Sequence, residues 1–139
     1  MAAPQAVIEI GSTGIRLLVA DSDDKKHRVL DKSEQPVALG RDVFTSGSVS
    51  RETLIECIHI LNRFAEQLEG WGITRKETTV LATSAIREAA NRDPVVDQIK
   101  VKTGFTVKVI DGIEETRLMY IAVNDCLKKA EIDLQETDS

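Results

Sequence analysis

Residues 7–21 constrain the fold of this chain more than any other stretch. Two apolar runs rich in β-branched side chains flank a small polar turn: Val7-Ile8-Glu9-Ile10, then Gly11-Ser12-Thr13-Gly14, then Ile15-Arg16-Leu17-Leu18-Val19-Ala20-Asp21. The pattern predicts strand, tight turn, strand. Glycine at both ends of the turn permits positive φ and a close approach of the backbone to a ligand. Ser12 and Thr13 add hydroxyls, and successive amides in such a turn can point inward around a phosphate. An ordinary β-hairpin satisfies the same pattern. The tetrapeptide is not a P-loop, because no Gly-Lys-Ser/Thr follows it.

The remaining segments extend this hairpin into an α/β domain. A third strand is expected over 27–32, with a weaker continuation through Gln35-Pro36-Val37-Ala38-Leu39. Residues 40–49, with two glycines, read as a loop. Ser50 caps the longest helix, 51–69, in which Leu54, Ile58, Leu61, Ala65 and Leu68 recur at helical spacing and Ile55 and Phe64 widen the stripe. A fourth strand is expected over 78–82, followed by a turn and short helical stretch over 83–89. Asp93 caps a further helix, with Pro94 at its first position, and Gly104 ends it. Phe105, Val107 and Val109 alternate in a fifth strand over 105–110. Asp111-Gly112-Ile113-Glu114 then forms a capping box with aspartate as the cap. Its helix runs to about residue 130 and buries Leu118, Ile121, Ala122 and Cys126. The order β-β-β-α-β-α-β-α, with strands and helices alternating in the second half, implies a mixed five-stranded sheet whose later strands are parallel. It is the order of the ribonuclease H-like, or actin-like, fold. Residues 131–139 form a polar, acidic tail.

The 139 residues suffice for one domain with a proper core. The net charge of -5 speaks against a general nucleic-acid binder, although a local cradle can still hold an anion. Cys57 and Cys126 lie far apart, form no Cys-x-x-Cys and read as reduced core cysteines. The two histidines, His27 and His59, are isolated and belong to no metal-ligand cluster. No basic and apolar leader opens the chain, and no run approaches the ~18 apolar residues of a membrane span. A cytoplasmic, non-membrane protein is the expectation.

In open sheets, ligands collect beyond the carboxyl ends of parallel strands. Three segments fall there: the turn from Gly11 to Gly14, the stretch 83–87, and the stretch 111–115. Arg87 can hold a phosphoryl oxygen with its planar fork of donors, or be a solvated surface cation. Glu114 and Glu115 can favour a helix dipole, or one of them can serve as general base toward a water attacking phosphorus. They point about 100° apart on a helix, so they do not share one role. Arg117 can pair with Glu114 across one turn. Arg16, just past the turn, can make a structural ion pair or contact a ligand. Glu9 can orient a water or a divalent cation, and as an inward carboxylate needs a partner.

Taken together, these segments resemble the N-terminal domain of the exopolyphosphatase / guanosine pentaphosphate phosphohydrolase (Ppx/GppA) family. The resemblance rests on Glu9-Ile10-Gly11-Ser12-Thr13-Gly14-Ile15-Arg16-Leu17, on Leu39-Gly40 and Ser46-Gly47-Ser48-Val49-Ser50, on Ala82-Thr83-Ser84-Ala85-Ile86-Arg87-Glu88-Ala89-Ala90-Asn91, and on Ile110-Asp111-Gly112-Ile113-Glu114-Glu115-Thr116-Arg117-Leu118. The last two motifs are specific. The resemblance implies an actin-like domain over 1–130, forming one wall of a cleft that a second such domain completes. It implies a magnesium-dependent hydrolase that cuts terminal phosphates from polyphosphate or guanosine pentaphosphate. Carried over by motif, Gly11, Ser12, Thr13, Gly14 and Arg16 bind phosphate, Glu9 holds Mg2+, Arg87 clamps phosphate, and Glu115 or Glu114 is the base.

The chain departs from the family pattern in four places. Glu9 replaces the first aspartate, Thr13-Gly14 replaces an Asn-Ser pair, and Asp111 replaces a serine. Nothing matches the second domain's Asp-x-Gly-Gly-Gly-Ser loop, so the chain reads as a domain fragment or a single-domain relative, slow or inactive by itself. An exposed apolar wall on such a domain favours a homodimer. Two further classes compete: a non-catalytic polyphosphate- or nucleotide-binding module, and the first domain of an actin-like sugar or acetate kinase, against which the two specific motifs argue.

Overall fold

The computed structural model describes residues 4–23 and 26–110. The expected last helix and tail, with Asp111, Glu114, Glu115, Arg117 and Cys126, lie outside the described residues. The described elements run β1 (Gln5–Ile10), β2 (Gly14–Asp23), β3 (Lys26–Pro36), α1 (Leu39–Ser46), α2 (Arg51–Gly70), β4 (Thr79–Ala82), α3 (Ser84–Glu88), α4 (Arg92–Thr103) and β5 (Val107–Val109).

Alternation along β1 and β2 places Ala6, Ile8, Ile10, Ile15, Leu17 and Val19 on one face, where all are buried. That face holds the core. The five strands lie in the order β3-β2-β1-β4-β5. The β1–β2 and β2–β3 pairs are antiparallel, and β1–β4 and β4–β5 are parallel. This is the α/β, actin-like arrangement anticipated from the order of elements.

Cys57, Ile60, Leu61, Phe64, Ala65 and Leu68 of α2 pack into the same core, with Val95 and Ile99 of α4 and Phe105. Each large apolar side chain so buried contributes about 1.5–3 kcal/mol. Ile55, expected within the helical stripe, is 45% exposed instead. Leu61, Phe64, Ala65 and Leu68 are buried as expected and Leu54 and Ile58 pack partly against the core, but the buried side is rotated away from Ile55 toward Cys57 and Ile60. Cys57 is a free, buried thiol, and burial pushes its pKa up to about 12.

Three boundaries differ from expectation. Residues 40–49 are not simply a loop: α1 fills most of them, with Leu39 buried, Val43 against the core and Gly47 closing the helix at φ +80°. β3 continues unbroken to Pro36, whose missing amide is harmless at a sheet edge. Asn91, not Asp93, stands at the N-cap of α4, and Asp93 lies inside the first turn. The Ser50 cap of α2 is as expected, its hydroxyl accepting from the Thr53 amide at 3.2 Å. Among the described residues, no helix is long and apolar enough to cross a membrane.

Asp31 joins the sheet edge to α2. It accepts from Gln67 Nε2 at 2.7 Å, Trp71 Nε1 at 3.2 Å and the Lys32 amide at 2.9 Å. These donors, Gln67 foremost, hold its pKa below the ordinary aspartate value.

Candidate functional site

Because β1, β4 and β5 are parallel, their carboxyl ends reach the same edge of the sheet side by side. Backbone hydrogen bonds stitch those ends together. The Thr83 amide donates to Ile10 O at 3.1 Å, and the Ile110 amide donates to Ala82 O at 3.0 Å. The Thr83 hydroxyl adds a 3.4 Å bond to Ile10 O. Two of the three segments singled out in the sequence, 11–14 and 83–87, therefore meet at the carboxyl ends of these strands, and the third, 111–115, lies outside the described residues.

The turn after β1 is closed by the Gly11 amide donating to Gly14 O at 2.9 Å. Its outer carbonyls are tied to the chain that follows β3: Thr13 O accepts from the Val37 amide at 3.1 Å, and Ser12 O from the Gly40 amide at 2.8 Å. No described backbone carbonyl accepts from the Ser12 or Thr13 amides. The turn glycines do not serve through positive φ, which among the described glycines is confined to Gly47, Gly72 and Gly104. At Gly14 the reason is contact, whereas a Cβ on Gly11 would meet nothing closer than 3.5 Å. A Cβ on Gly14 would stand 2.7 Å from Gln35 O. Gly40 has the same role from the other side, since a Cβ there would stand 2.9 Å from Ser12 Cβ and 3.2 Å from Ser12 O. The Leu39-Gly40 pair of the sequence motif thus seats α1 directly on the turn.

Hydroxyls and a guanidinium line the neighbouring segment. Ser12 Oγ and Ser84 Oγ lie 3.1 Å apart, joining the turn to the start of α3. Arg87, half-buried on α3, donates from Nη1 to Ile110 O at 3.1 Å and lies 3.5 Å from Glu88 through Nε. Its guanidinium is thereby held at the end of β5, two strands from β1, with donors still to spare on its fork.

Arg16 and Glu9 sit on the sheet face opposite the core. They are direct cross-strand partners, and Glu34 faces Arg16 from β3. Opposite charges so placed stabilise the pairing. Arg16 is exposed, so this placement allows both roles expected of it. Glu9 is half-buried; its Oε1 and Thr83 Oγ1 lie within 4.0 Å of the point where a Gly11 Cβ would be. For a metal ion the donor set is thin: among the described residues there is no group of three His, Cys, Asp or Glu. One carboxylate beside a hydroxyl-bearing turn fits magnesium, which keeps several waters and takes substrate phosphate oxygens as ligands.

Two structural residues were not anticipated. Asn91 makes a paired bond with the Val49 backbone, accepting from its amide at 2.9 Å and donating to its carbonyl at 2.9 Å. The Ala90 amide donates to Gly47 O at 2.8 Å alongside. Asp42 accepts from the Ser50 hydroxyl at 2.7 Å and its amide at 3.0 Å. Thr53 and Ser50 hold the Asp42 pKa low. Both ends of α1 are therefore pinned, one to Ser12 and the other to the α2 cap and the end of the Arg87 segment. The signal for Asn91 was present in the motif that ends on it; its partner, 42 residues away, was not legible.

The matched family model, that of the Ppx/GppA phosphatase family, covers residues 18–134. Exopolyphosphatase 1 of Mycobacterium leprae is 28% identical over 118 residues, which are 84% of this chain and 34% of that protein. The crystal structure of the Aquifex aeolicus Ppx/GppA family member superposes with a TM-score of 0.79 at 28% identity, over 88% of this chain and 40% of that one. An exopolyphosphatase from Cytophaga hutchinsonii superposes at 0.74 with 27% identity, over 83% and 36%. This chain thus spans about a third of the length of the curated relatives it matches.

Proposed function

Since the chain belongs to the Ppx/GppA phosphatase family, we propose that it is a phosphohydrolase domain. It acts on terminal phosphoanhydride bonds of inorganic polyphosphate or guanosine pentaphosphate. The observation that carries this reading is the convergence of a hydroxyl-bearing turn, Ser84 and the Arg87 guanidinium on one sheet edge, joined by the Ser12–Ser84 contact and the Arg87–Ile110 bond.

In this reading the turn from Gly11 to Gly14 holds the oxygens of the terminal phosphoryl group, Ser12 and Thr13 through their amides and hydroxyls and Gly11 and Gly14 by closing the turn around them. Arg87 clamps the same group and opposes the charge that grows on it. Arg16 adds positive charge at the exit of the turn. Glu115, with Glu114 as the alternative, takes a proton from a water. The water oxygen bonds to phosphorus in line, the bridging P–O bond breaks, and its electron pair leaves on the shortened chain. Glu9 would hold magnesium, which when bound supplies neutralising charge at the phosphate oxygens.

Further partners follow from the same reading. A second actin-like domain completes the cleft and brings full activity, and a second copy of this chain is a further proposed partner. The cytoplasm is the proposed location, in keeping with the buried free thiol of Cys57. A binding-only module is the second reading, favoured by the departures from the family pattern at Glu9, Thr13 and Asp111.

The test is phosphate release from long-chain polyphosphate with magnesium, comparing wild type with Glu115→Gln, Glu114→Gln and Arg87→Ala. Release abolished by one glutamate variant and lowered about a hundredfold by Arg87→Ala supports the hydrolase. Release unchanged in all three variants overturns the assigned roles. No release from wild type overturns turnover by this chain alone and leaves the binding module.

A further inference from the structure

β3 is the outermost strand of the sheet and, at 11 residues, the longest strand described. Among the described residues no strand pairs with its outer side. Unpaired amides and carbonyls on such an edge are a template for another strand. A bulge interrupts it: Val19 stands opposite Asp31 and Ala20 opposite Val29, so Leu30 is the extra residue. A bulge bends and twists its strand, which leaves Asp31 to Pro36 as the regular part of the edge.

Within that stretch the backbone direction can be assigned. The Val37 amide turns inward and donates to Thr13 O at 3.1 Å. The Lys32 amide, of the opposite parity, turns away from β2 and donates to Asp31 Oδ1 at 2.9 Å. Lys32 and Glu34 therefore present their backbone groups outward, and their side chains are exposed on the sheet face opposite the core. Asp31 and Ser33 point to the other face, where Gln67 Nε2 bonds to them at 2.7 and 3.0 Å.

Charges on an edge ordinarily repel a partner strand. Here their signs alternate along one face, and one register turns them into pairs. In a two-fold antiparallel pairing of β3 with itself, an axis at Asp31, Lys32 or Glu34 would set that charge against its own copy. An axis at Gln35 would set Glu34 against Pro36, with no ion pair. An axis at Ser33 sets Lys32 opposite Glu34 twice and Asp31 opposite Gln35. It also makes Lys32 and Glu34 the residues that exchange backbone hydrogen bonds, the Lys32 amide leaving Asp31 for the carbonyl of the second copy. Trp71, held at the same edge by its 3.2 Å bond to Asp31 and 38% exposed, adds apolar cover.

We propose that β3 is a docking edge for a second copy of this chain, paired antiparallel about a two-fold axis at Ser33. The assignment rests on the reading of a second copy as partner, names its surface, and does not involve the phosphate site. Such a short pairing belongs with interfaces below ~1,200 Å², so the dimer is weak and reversible.

Sedimentation equilibrium of the chain, from micromolar to about 1 mM and at low and high salt, tests it. The wild type forms a dimer that added salt weakens. Lys32→Glu and Glu34→Lys each turn both ion pairs into like-charge pairs and weaken the dimer about tenfold or more. An equimolar mixture of the two variants regains it as a heterodimer, because the substitutions together restore opposite charges across the axis. Association in the mixture also shows that both variants fold. Weakening by both variants without recovery in the mixture overturns the Ser33 register and the proposal with it. A dimer unmoved by either variant overturns the β3 edge and leaves the second-copy reading. A monomer at every concentration overturns both.

Discussion

Replacing Gly40 by alanine probes how closely α1 is fitted to the turn. The added Cβ would lie 2.9 Å from Ser12 Cβ and 3.2 Å from Ser12 O, whereas ordinary van der Waals contact begins at 3.4 Å. The 2.8 Å bond from the Gly40 amide to Ser12 O holds the two backbones together. Relief therefore requires α1 or the turn to move by roughly half an ångström, an overpacking cost of about 1–3 kcal/mol. Alanine gains about 1 kcal/mol over glycine as a helix former, which partly offsets the clash. Gly70 provides the control. It is also helical, and nothing lies within 4 Å of its missing Cβ. Gly70→Ala should take the helix gain alone. The two variants should thus differ by about 1–3 kcal/mol, read from urea midpoints at constant m-value. For a chain of this size that is a gap of about 3–12 °C in Tm. Gly40→Ala should also weaken tripolyphosphate binding, whereas Gly70→Ala should not. If Gly40→Ala proves as stable as Gly70→Ala, the close approach of α1 to Ser12 is wrong.

Three other perturbations follow from the geometry. Asn91→Ala leaves the part-buried Val49 amide and carbonyl without their partner, and should cost about 2–4 kcal/mol in urea unfolding; Asn91→Asp should also destabilise, because an oxygen would then face Val49 O. Asp31 and Asp42 have folded pKa values below their unfolded ones. Their contribution to stability is complete above the unfolded aspartate pKa, about 3.9, and is lost as pH falls through the folded values. Asp31→Asn should accordingly flatten the acid limb of a stability–pH curve measured by urea titration. Cys57, with its pKa raised to about 12 by burial, should resist a thiol reagent at about pH 8 in the native protein and react once urea unfolds it.

The strand–turn–strand at the start and the long helix after Ser50 were legible because alternation and helical spacing are local signals. Helix α1 was less so. Its glycines at positions 40 and 47 resemble loop residues, and only Leu39 and Val43 mark its inner side. The far half of β3 was obscured by its polar run of Lys32, Ser33, Glu34 and Gln35, which suits an edge strand but carries no apolar period. Ile55 was misplaced because a stripe drawn on Leu54 and Ile58 is rotated from the buried side, which turns toward Cys57 and Ile60. In the site, the residue types at the sheet edge were readable from motif and strand order. The contacts that explain Gly14, Gly40 and Asn91 were not, because each depends on a backbone segment distant in sequence.

The measurement that tests the account most directly is an amide-shift titration of the labelled chain with inorganic tripolyphosphate. The account predicts shifts concentrated at Gly11, Ser12, Thr13 and Gly14 and at Ser84 and Arg87, fading with added salt and lost in Arg87→Ala. Shifts confined to other surfaces, or none at these residues at saturating ligand, would contradict the assignment of the sheet edge as a phosphate site.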